Sequence, residues 1–159
     1  MDEPVLRGAT KDDVDAIEGL AKDAFGKYVE RIGRPPAPMV ADYAALLRES
    51  RIWVIEERDA IVAMLVTQHH GDHLLLETIA VASDAQGSGH GRRLLQRAER
   101  DATEQGLTEV RLCTNEAMTE NLVFYPRHGY RETRRGIEDG YRRVFFVKNL
   151  AESSATSPA

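Results

Sequence analysis

A chain of 159 residues with 42% hydrophobic and 30% charged positions has the length of one domain, enough for a single core and too short for two. Its formal net charge of −5 speaks against nucleic-acid binding through general electrostatics and mildly favours a cationic partner; its one cysteine, Cys113, excludes an internal disulfide framework and a cysteine-built zinc site. No apolar run approaches the ~20 residues of a membrane span, and the acidic start Met1-Asp2-Glu3-Pro4 does not read as a signal peptide, so no membrane partner and a cytoplasmic location are the expectations.

Residues 5–9 read as a short first strand, after which Thr10 has the chemistry of an N-cap, with Asp12 and Asp13 in the first helical turn. Val14, Ile17, Leu20, Ala21, Ala24 and Phe25 then recur at helical spacing. Residues 26–39 hold Gly26, Gly33 and three of the six prolines, which predicts a surface loop before a second helix over about residues 40–48. A connection of that kind is either functional or a plain connector; Tyr28, Arg34 and Tyr43 flank it as pocket lining or as ordinary packing.

Residues 52–55 and 61–67 pair as strands around Arg58-Asp59, Gly71-Asp72 turns the chain into a strand over residues 74–81, and Trp53 reads as core. A helix follows over residues 91–104, with Leu94, Leu95 and Ala98 toward the sheet and Gly106 at its end. Because that helix intervenes, the strand at residues 108–113 should run parallel to the one at 74–81. A short helix over residues 120–127, a turn at His128-Gly129 and a hairpin around Glu138-Asp139-Gly140 complete the order. Residues 151–159 read as a disordered tail, leaving residues 1–150 as the single domain, and no internal repeat is found. The predicted fold class is mixed α/β: a mostly antiparallel central sheet, splayed between its two parallel middle strands and flanked by about four helices.

The glycine-dense loop Gln86-Gly87-Ser88-Gly89-His90-Gly91 lies at the junction of strand and helix. Glycine costs roughly 0.5–1 kcal/mol relative to Ala inside a helix. Its use here is physical: without Cβ atoms the backbone can approach an anion, and the first turn of a helix has N–H groups with no intrahelical partner. A Walker loop would need G-x-x-x-x-G-K-[ST], but Gly91 is followed by Arg92 and Arg93; a dinucleotide fingerprint needs G-x-G-x-x-G beside a first strand. Neither fits. What remains is Gln86-x-x-Gly89-x-Gly91 after Ile79-Ala80-Val81, joined further on by Asn121-Leu-Val-Phe-Tyr125-Pro-Arg-His-Gly129-Tyr130.

Those two stretches resemble the acetyl-CoA signature and the second signature of the GNAT superfamily of N-acetyltransferases, and the element order extends the resemblance over almost the whole domain. The resemblance implies a GNAT-type fold and acetyl-CoA as co-substrate. It implies that the strand around Ile79, Ala80 and Val81 pairs with the pantetheine arm, and that Gln86, Gly87, Ser88, Gly89, His90, Gly91 and Arg92 take the pyrophosphate. Arg92 and Arg93 can meet phosphate charge or form a solvated helix face. One departure stands out: many members carry an Asn seven residues before the Tyr, where this chain has Met118, so Asn121 is the less secure pantetheine contact.

The chemistry so implied is transfer of an acetyl group from a thioester to a primary amine of a small molecule, peptide or protein. An amine of pKa ~10.4 is mostly protonated at neutral pH and needs a base. Strand alternation puts Glu77, Ile79 and Val81 on one face, which makes Glu77 the candidate base, or else a structural carboxylate at the sheet surface. Tyr125 matches the family residue that gives the departing thiolate a proton; otherwise it is a packed tyrosine at a helix end. His69, His70 and His73 crowd a turn and read as solvated rather than as a metal site, and Cys113 reads as a strand residue. A homodimer is left open by the resemblance, and the rival reading is an acyl-CoA-binding sensor that performs no transfer.

Overall fold

The computed structural model describes residues 3–150, so the predicted tail at 151–159 lies outside the described residues. Its contacts divide the chain into two compact units, Met1–Gln68 with Glu77–Leu95, and His69–Leu76 with Gln96–Ala159.

In the first unit, β1 (Val5–Gly8) runs antiparallel to β2 (Arg51–Glu57), and β2 to β3 (Ala60–His70). Arg58 and Asp59 turn the β2–β3 hairpin with φ of 54° and 65°, the left-handed geometry that suits a two-residue loop to the twist of its strands. Thr10 opens a 3-10 turn (Lys11–Asp13) with a reciprocal capping box, and α1 (Val14–Phe25) follows, burying Ile17, Leu20, Ala21, Ala24 and Phe25 as its periodicity predicted.

The region expected to be a loop is instead partly helical. It holds α2 (Tyr28–Ile32), closed by Gly33 at φ 90°, and α3 (Ala37–Val40), which starts with proline in its first turn. Helices of five and four residues are too short to show a period, and prolines that read as breakers here serve as a helix start. The next helix, α4 (Tyr43–Glu49), begins later than expected because Asp42 caps it, accepting from the Ala45 N–H at 3.0 Å. Among the described residues there are therefore six α-helices rather than about four, the two additional ones being α2 and α3. Trp53 is half-buried rather than core, with the Arg51 guanidinium 4.3 Å above its ring, while Ile52, Val54 and Ile55 are buried beside it.

The strand β4 (His73–Val81) begins in the second unit and ends in the first. His69 and His70 end β3 and His73 opens β4, so the histidines lie on the strands and only Gly71-Asp72 makes the turn. The helix α5 (His90–Glu104) buries Leu94, Leu95, Ala98 and Ala102. In the second unit β5 (Glu109–Asn115) runs parallel to β4, pairing Leu74, Leu75 and Leu76 with Val110, Arg111 and Leu112. Next come α6 (Thr119–Arg127), β6 (Arg131–Glu138) and β7 (Tyr141–Asn149), with Asp139 and Gly140 at positive φ in the last hairpin.

The seven strands among the described residues are ordered β1-β2-β3-β4-β5-β7-β6, so β7 lies between β5 and β6. Buried Val110 and Leu112 of β5 and Val144 and Phe146 of β7 supply the apolar face of the second unit. The edge strand β6 is exposed along almost its whole length and slips register between Glu132 and Arg134.

Candidate active site

The bend between β4 and α5 is built from local rules. A 3-10 turn at Ser83–Ala85 leaves β4, and Asp23 of α1 holds its first residue, accepting from the Ser83 N–H at 2.8 Å and the Ser83 hydroxyl at 2.9 Å. Gly87 and Gly89 then take φ of 84° and 86°, a region that side-chain-bearing residues adopt only under strain. A Cβ built on either glycine would meet nothing within 4 Å. The amides of residues 87–92 find no acceptor among the described residues, and the first main-chain bond past the bend is Arg93 N–H to the Gly89 carbonyl at 3.0 Å. Six successive donors, open space before the glycines and the positive end of a 15-residue helix make an anion cradle. The chain's own residues thus fit a diphosphate.

The side chains around the bend divide. Gln86, Ser88 and Arg92 are exposed, whereas Arg93 reaches back to the Pro4 carbonyl at 3.0 Å and so has a structural tie. His90 is 6% exposed, and its Nε2 is buried with no partner among the described residues. The Gln86 amide donates to the Val81 carbonyl at 3.3 Å, bracing the end of β4. Ala80 is buried, while Ile79 and Val81 share with Glu77 the half-buried face of the strand.

The Glu77 side chain has no hydrogen bond or ion pair among the described residues. Burial pushes its carboxyl above the usual carboxylate range. Tyr43 lies close enough to feel that charge and the charge of Glu18, and burial first, then both carboxylates, push its phenol well up. Tyr43 is 1% exposed and donates to the Pro38 carbonyl, so it is packing that also fastens α3.

In the second unit Tyr125 is 5% exposed near the end of α6, its ring 5.2 Å from Phe124 and 5.8 Å from both Tyr130 and Phe146. Asn121 donates to the Thr114 hydroxyl at 2.9 Å and faces the Met118 sulfur at 3.6 Å, which ties α6 to β5 and leaves its Oδ1 without a partner among the described residues. The histidines make a small surface group: His70 and His73 stack at 5.3 Å, and His73 Nδ1 lies 2.7 Å from Asp72. Among the described residues no three metal-binding side chains converge. Burial, more than the neighbouring charges, pushes the Cys113 thiol up, which makes it a poor nucleophile.

The family model described as an acetyltransferase (GNAT) domain matches residues 48–132, over half of the chain. This chain belongs to the GNAT acetyltransferase family. The match contains both the glycine bend and the Asn121–Tyr125 stretch. A mouse (Mus musculus) relative named N-alpha-acetyltransferase 80 is 30% identical over 116 residues, covering 70% of this chain and 30% of that protein; the chain spans less than a third of its length. Among solved structures, a GCN5-related N-acetyltransferase from Rhodopseudomonas palustris superposes with a TM-score of 0.78 at 18% identity, covering 94% of this chain and 98% of that one. A GNAT family acetyltransferase from Elizabethkingia anophelis with acetyl-CoA bound gives 0.68 at 16% identity, covering 94% and 100%. At such identities the likeness shows the shared GNAT fold. No helix among the described residues is long and apolar enough to cross a membrane.

No sequence signal marks Asp23, nor the Glu99 and Lys148 contacts at the end of α6. Asp23 and Ser83 are 60 residues apart, and Glu99 and Lys148 are 49 apart, so no local spacing signals either contact.

Proposed function

We propose that this GNAT-family chain is an N-acetyltransferase that moves an acetyl group from acetyl-CoA directly to a primary amine of a small molecule, peptide or protein, with the cytoplasm as its setting. The observation that carries the reading is the run of acceptor-less amides from residue 87 to 92 facing open space at Gly87 and Gly89. Acetyl-CoA bound by a relative of the same fold supports it.

In this reading the amides of Gly87, Ser88, Gly89, His90, Gly91 and Arg92, with Gln86 at the rim, hold the diphosphate. The main chain of Ile79, Ala80 and Val81 pairs with the pantetheine arm as an added strand would, and Asn121 offers its free Oδ1. When bound, acetyl-CoA supplies an acyl group activated as a thioester. Glu77 takes the proton that the acceptor ammonium must lose; an unpartnered carboxyl raised by burial is a stronger base than an ordinary one. The amine nitrogen then bonds to the carbonyl carbon and the carbon–sulfur bond breaks; Tyr125 supplies a proton to the sulfur, and the second proton that the nitrogen sheds as the amide forms restores the phenol. The Glu77 carboxylate and the chain's formal net charge of −5 together favour a cationic acceptor.

The test combines calorimetry with acetyl-CoA and CoA-release assays over a panel of mono-, di- and polyamines and peptide N-termini. Saturable binding and turnover on at least one amine are expected. Saturable binding without turnover on any amine points to a sensor, and protection by ATP or NAD as good as by acetyl-CoA overturns the cofactor reading.

A further inference from the structure

A part-buried charged set lies against the C-terminal end of α6, and nothing in the proposed transfer uses it. Lys148 of β7 donates to Glu99 Oε1 of α5 at 3.0 Å and to the His128 carbonyl at 3.0 Å. The other Glu99 oxygen accepts from the Tyr130 hydroxyl at 3.0 Å, and the ammonium stands 5.7 Å over the Tyr130 ring. Gly129, at φ 93°, lets the chain reverse here, and a Cβ on it would stand 3.1 Å from the Lys148 stem.

The same residues grip Tyr125. Its carbonyl accepts from the His128 N–H at 3.0 Å and the Tyr130 N–H at 3.1 Å, and the Tyr130 ring meets its ring edge-on at 69°. The two residues whose N–H groups hold the Tyr125 carbonyl, His128 and Tyr130, are themselves bound by Lys148 and Glu99. The two side chains are only 19% and 21% exposed. At that depth a well-packed apolar pair stabilises a fold about as well as an ion pair. What the ammonium adds is direction, because it satisfies a carboxylate and a helix-end carbonyl in one geometry.

We infer that Lys148 and Glu99 are positioning residues for Tyr125, fixing the final turn of α6 and the Tyr130 ring so that the Tyr125 phenol is held where a proton must be delivered. The inference rests on the reading of Tyr125 as proton donor. The pair touches no substrate; it acts through Tyr125.

The experiment measures kcat and the acetyl-CoA KM, with an amine the wild type acetylates, for Lys148→Met, Lys148→Arg, Glu99→Gln, Tyr125→Phe and the Lys148→Met/Tyr125→Phe double variant, with near-ultraviolet circular dichroism on each. Lys148→Met should lower kcat roughly 10–100-fold, the scale of a misplaced catalytic group, with KM within about twofold of wild type. Arginine at 148 should restore most of kcat. The double variant should be no slower than Tyr125→Phe alone. Glu99→Gln, which keeps the volume and the Tyr130 contact, should lower kcat in the same sense and decides the matter if Lys148→Met loses its native near-ultraviolet signal. Wild-type kcat in both Lys148→Met and Glu99→Gln, or losses that multiply in the double variant, overturns the inference. If Tyr125→Phe is inactive while Lys148→Met and Glu99→Gln both keep wild-type kcat, only the inference falls; if Tyr125→Phe turns over normally, the donor reading falls and takes the inference with it.

Discussion

Two carboxylates of the first unit have opposite surroundings. Asp13 accepts from Arg7 at 2.8 and 3.0 Å, from the Thr10 N–H at 2.8 Å and from the Thr10 hydroxyl at 3.3 Å. Arg7 also holds Glu56 at 2.9 Å, so both oxygens of Asp13 have a donor within the fold. The Arg7 bonds, opposed by burial, hold the Asp13 carboxyl down at about 2. Glu77 is half-buried with no such company, and burial moves its carboxyl the other way. The bend at residues 87–92 and the orphaned His90 nitrogen share that unsatisfied character. Groups saturated by their neighbours hold a fold together; groups kept part-buried without partners cost stability and mark where a ligand is to come.

The comparison is broken or sharpened first at Glu77. Glu77→Gln is expected to lower kcat by roughly 10²–10⁴-fold, whereas Asp13→Asn should leave kcat near wild type; equal kcat in Glu77→Gln and wild type removes Glu77 from the chemistry. Because the Glu77 carboxyl is raised, the acidic limb of kcat/KM should fall above the ordinary carboxylate range and vanish in the Gln variant. The sign for stability is opposite to that of activity. A raised carboxyl favours the folded state only while protonated, and that contribution is lost as pH rises through its folded value. At neutral pH Glu77→Gln should therefore be the more stable protein, by about 0.5–2 kcal/mol.

At the bend, Gly89→Glu forces a side chain into left-handed backbone and sets a negative charge where a diphosphate belongs. Acetyl-CoA affinity should fall roughly 10–100-fold by calorimetry, and unchanged affinity would mean that the cradle lies elsewhere. Asp13→Asn should cost about 1–3 kcal/mol of stability, read as a lower melting temperature. Since Asp13 is depressed, its contribution is present above the unfolded carboxyl value and is lost as pH falls from there toward about 2. The melting curves of variant and wild type should thus converge in acid. The smallest effect is expected for His90→Leu, which removes a buried nitrogen without a partner: a gain of about 1 kcal/mol in the ligand-free protein. A fall in melting temperature would show that His90 holds more of the fold than its contacts suggest.

Most of the frame was legible because its signals are local. The apolar period of α1, the capping chemistry of Thr10, the hairpin turns at Arg58-Asp59 and Asp139-Gly140, and the glycine bend are each written within a dozen residues. The parallel pairing of β4 with β5 followed from the helix between them. What could not be read is short or distant. α2 and α3 are too brief for a period, and the placing of β7 between β5 and β6 depends on partners far away in the chain. In the site, residue identity pointed to Glu77 and to the glycines, but that the Glu77 side chain and the bend amides find no partner among the described residues is a property of the folded chain alone. The Asp23 clamp on Ser83 and the Lys148–Glu99 pair were invisible for the same reason.

The slipped register of β6 has a further consequence. Arg131, Arg134 and Arg135 are exposed along that strand, Arg134 paired with Glu138 and Arg135 with Glu116 and Glu132, so a stray strand from another molecule would meet out-of-step carbonyls among charged side chains. Crowded solutions of the protein are thereby guarded on that side against ribbon-like growth.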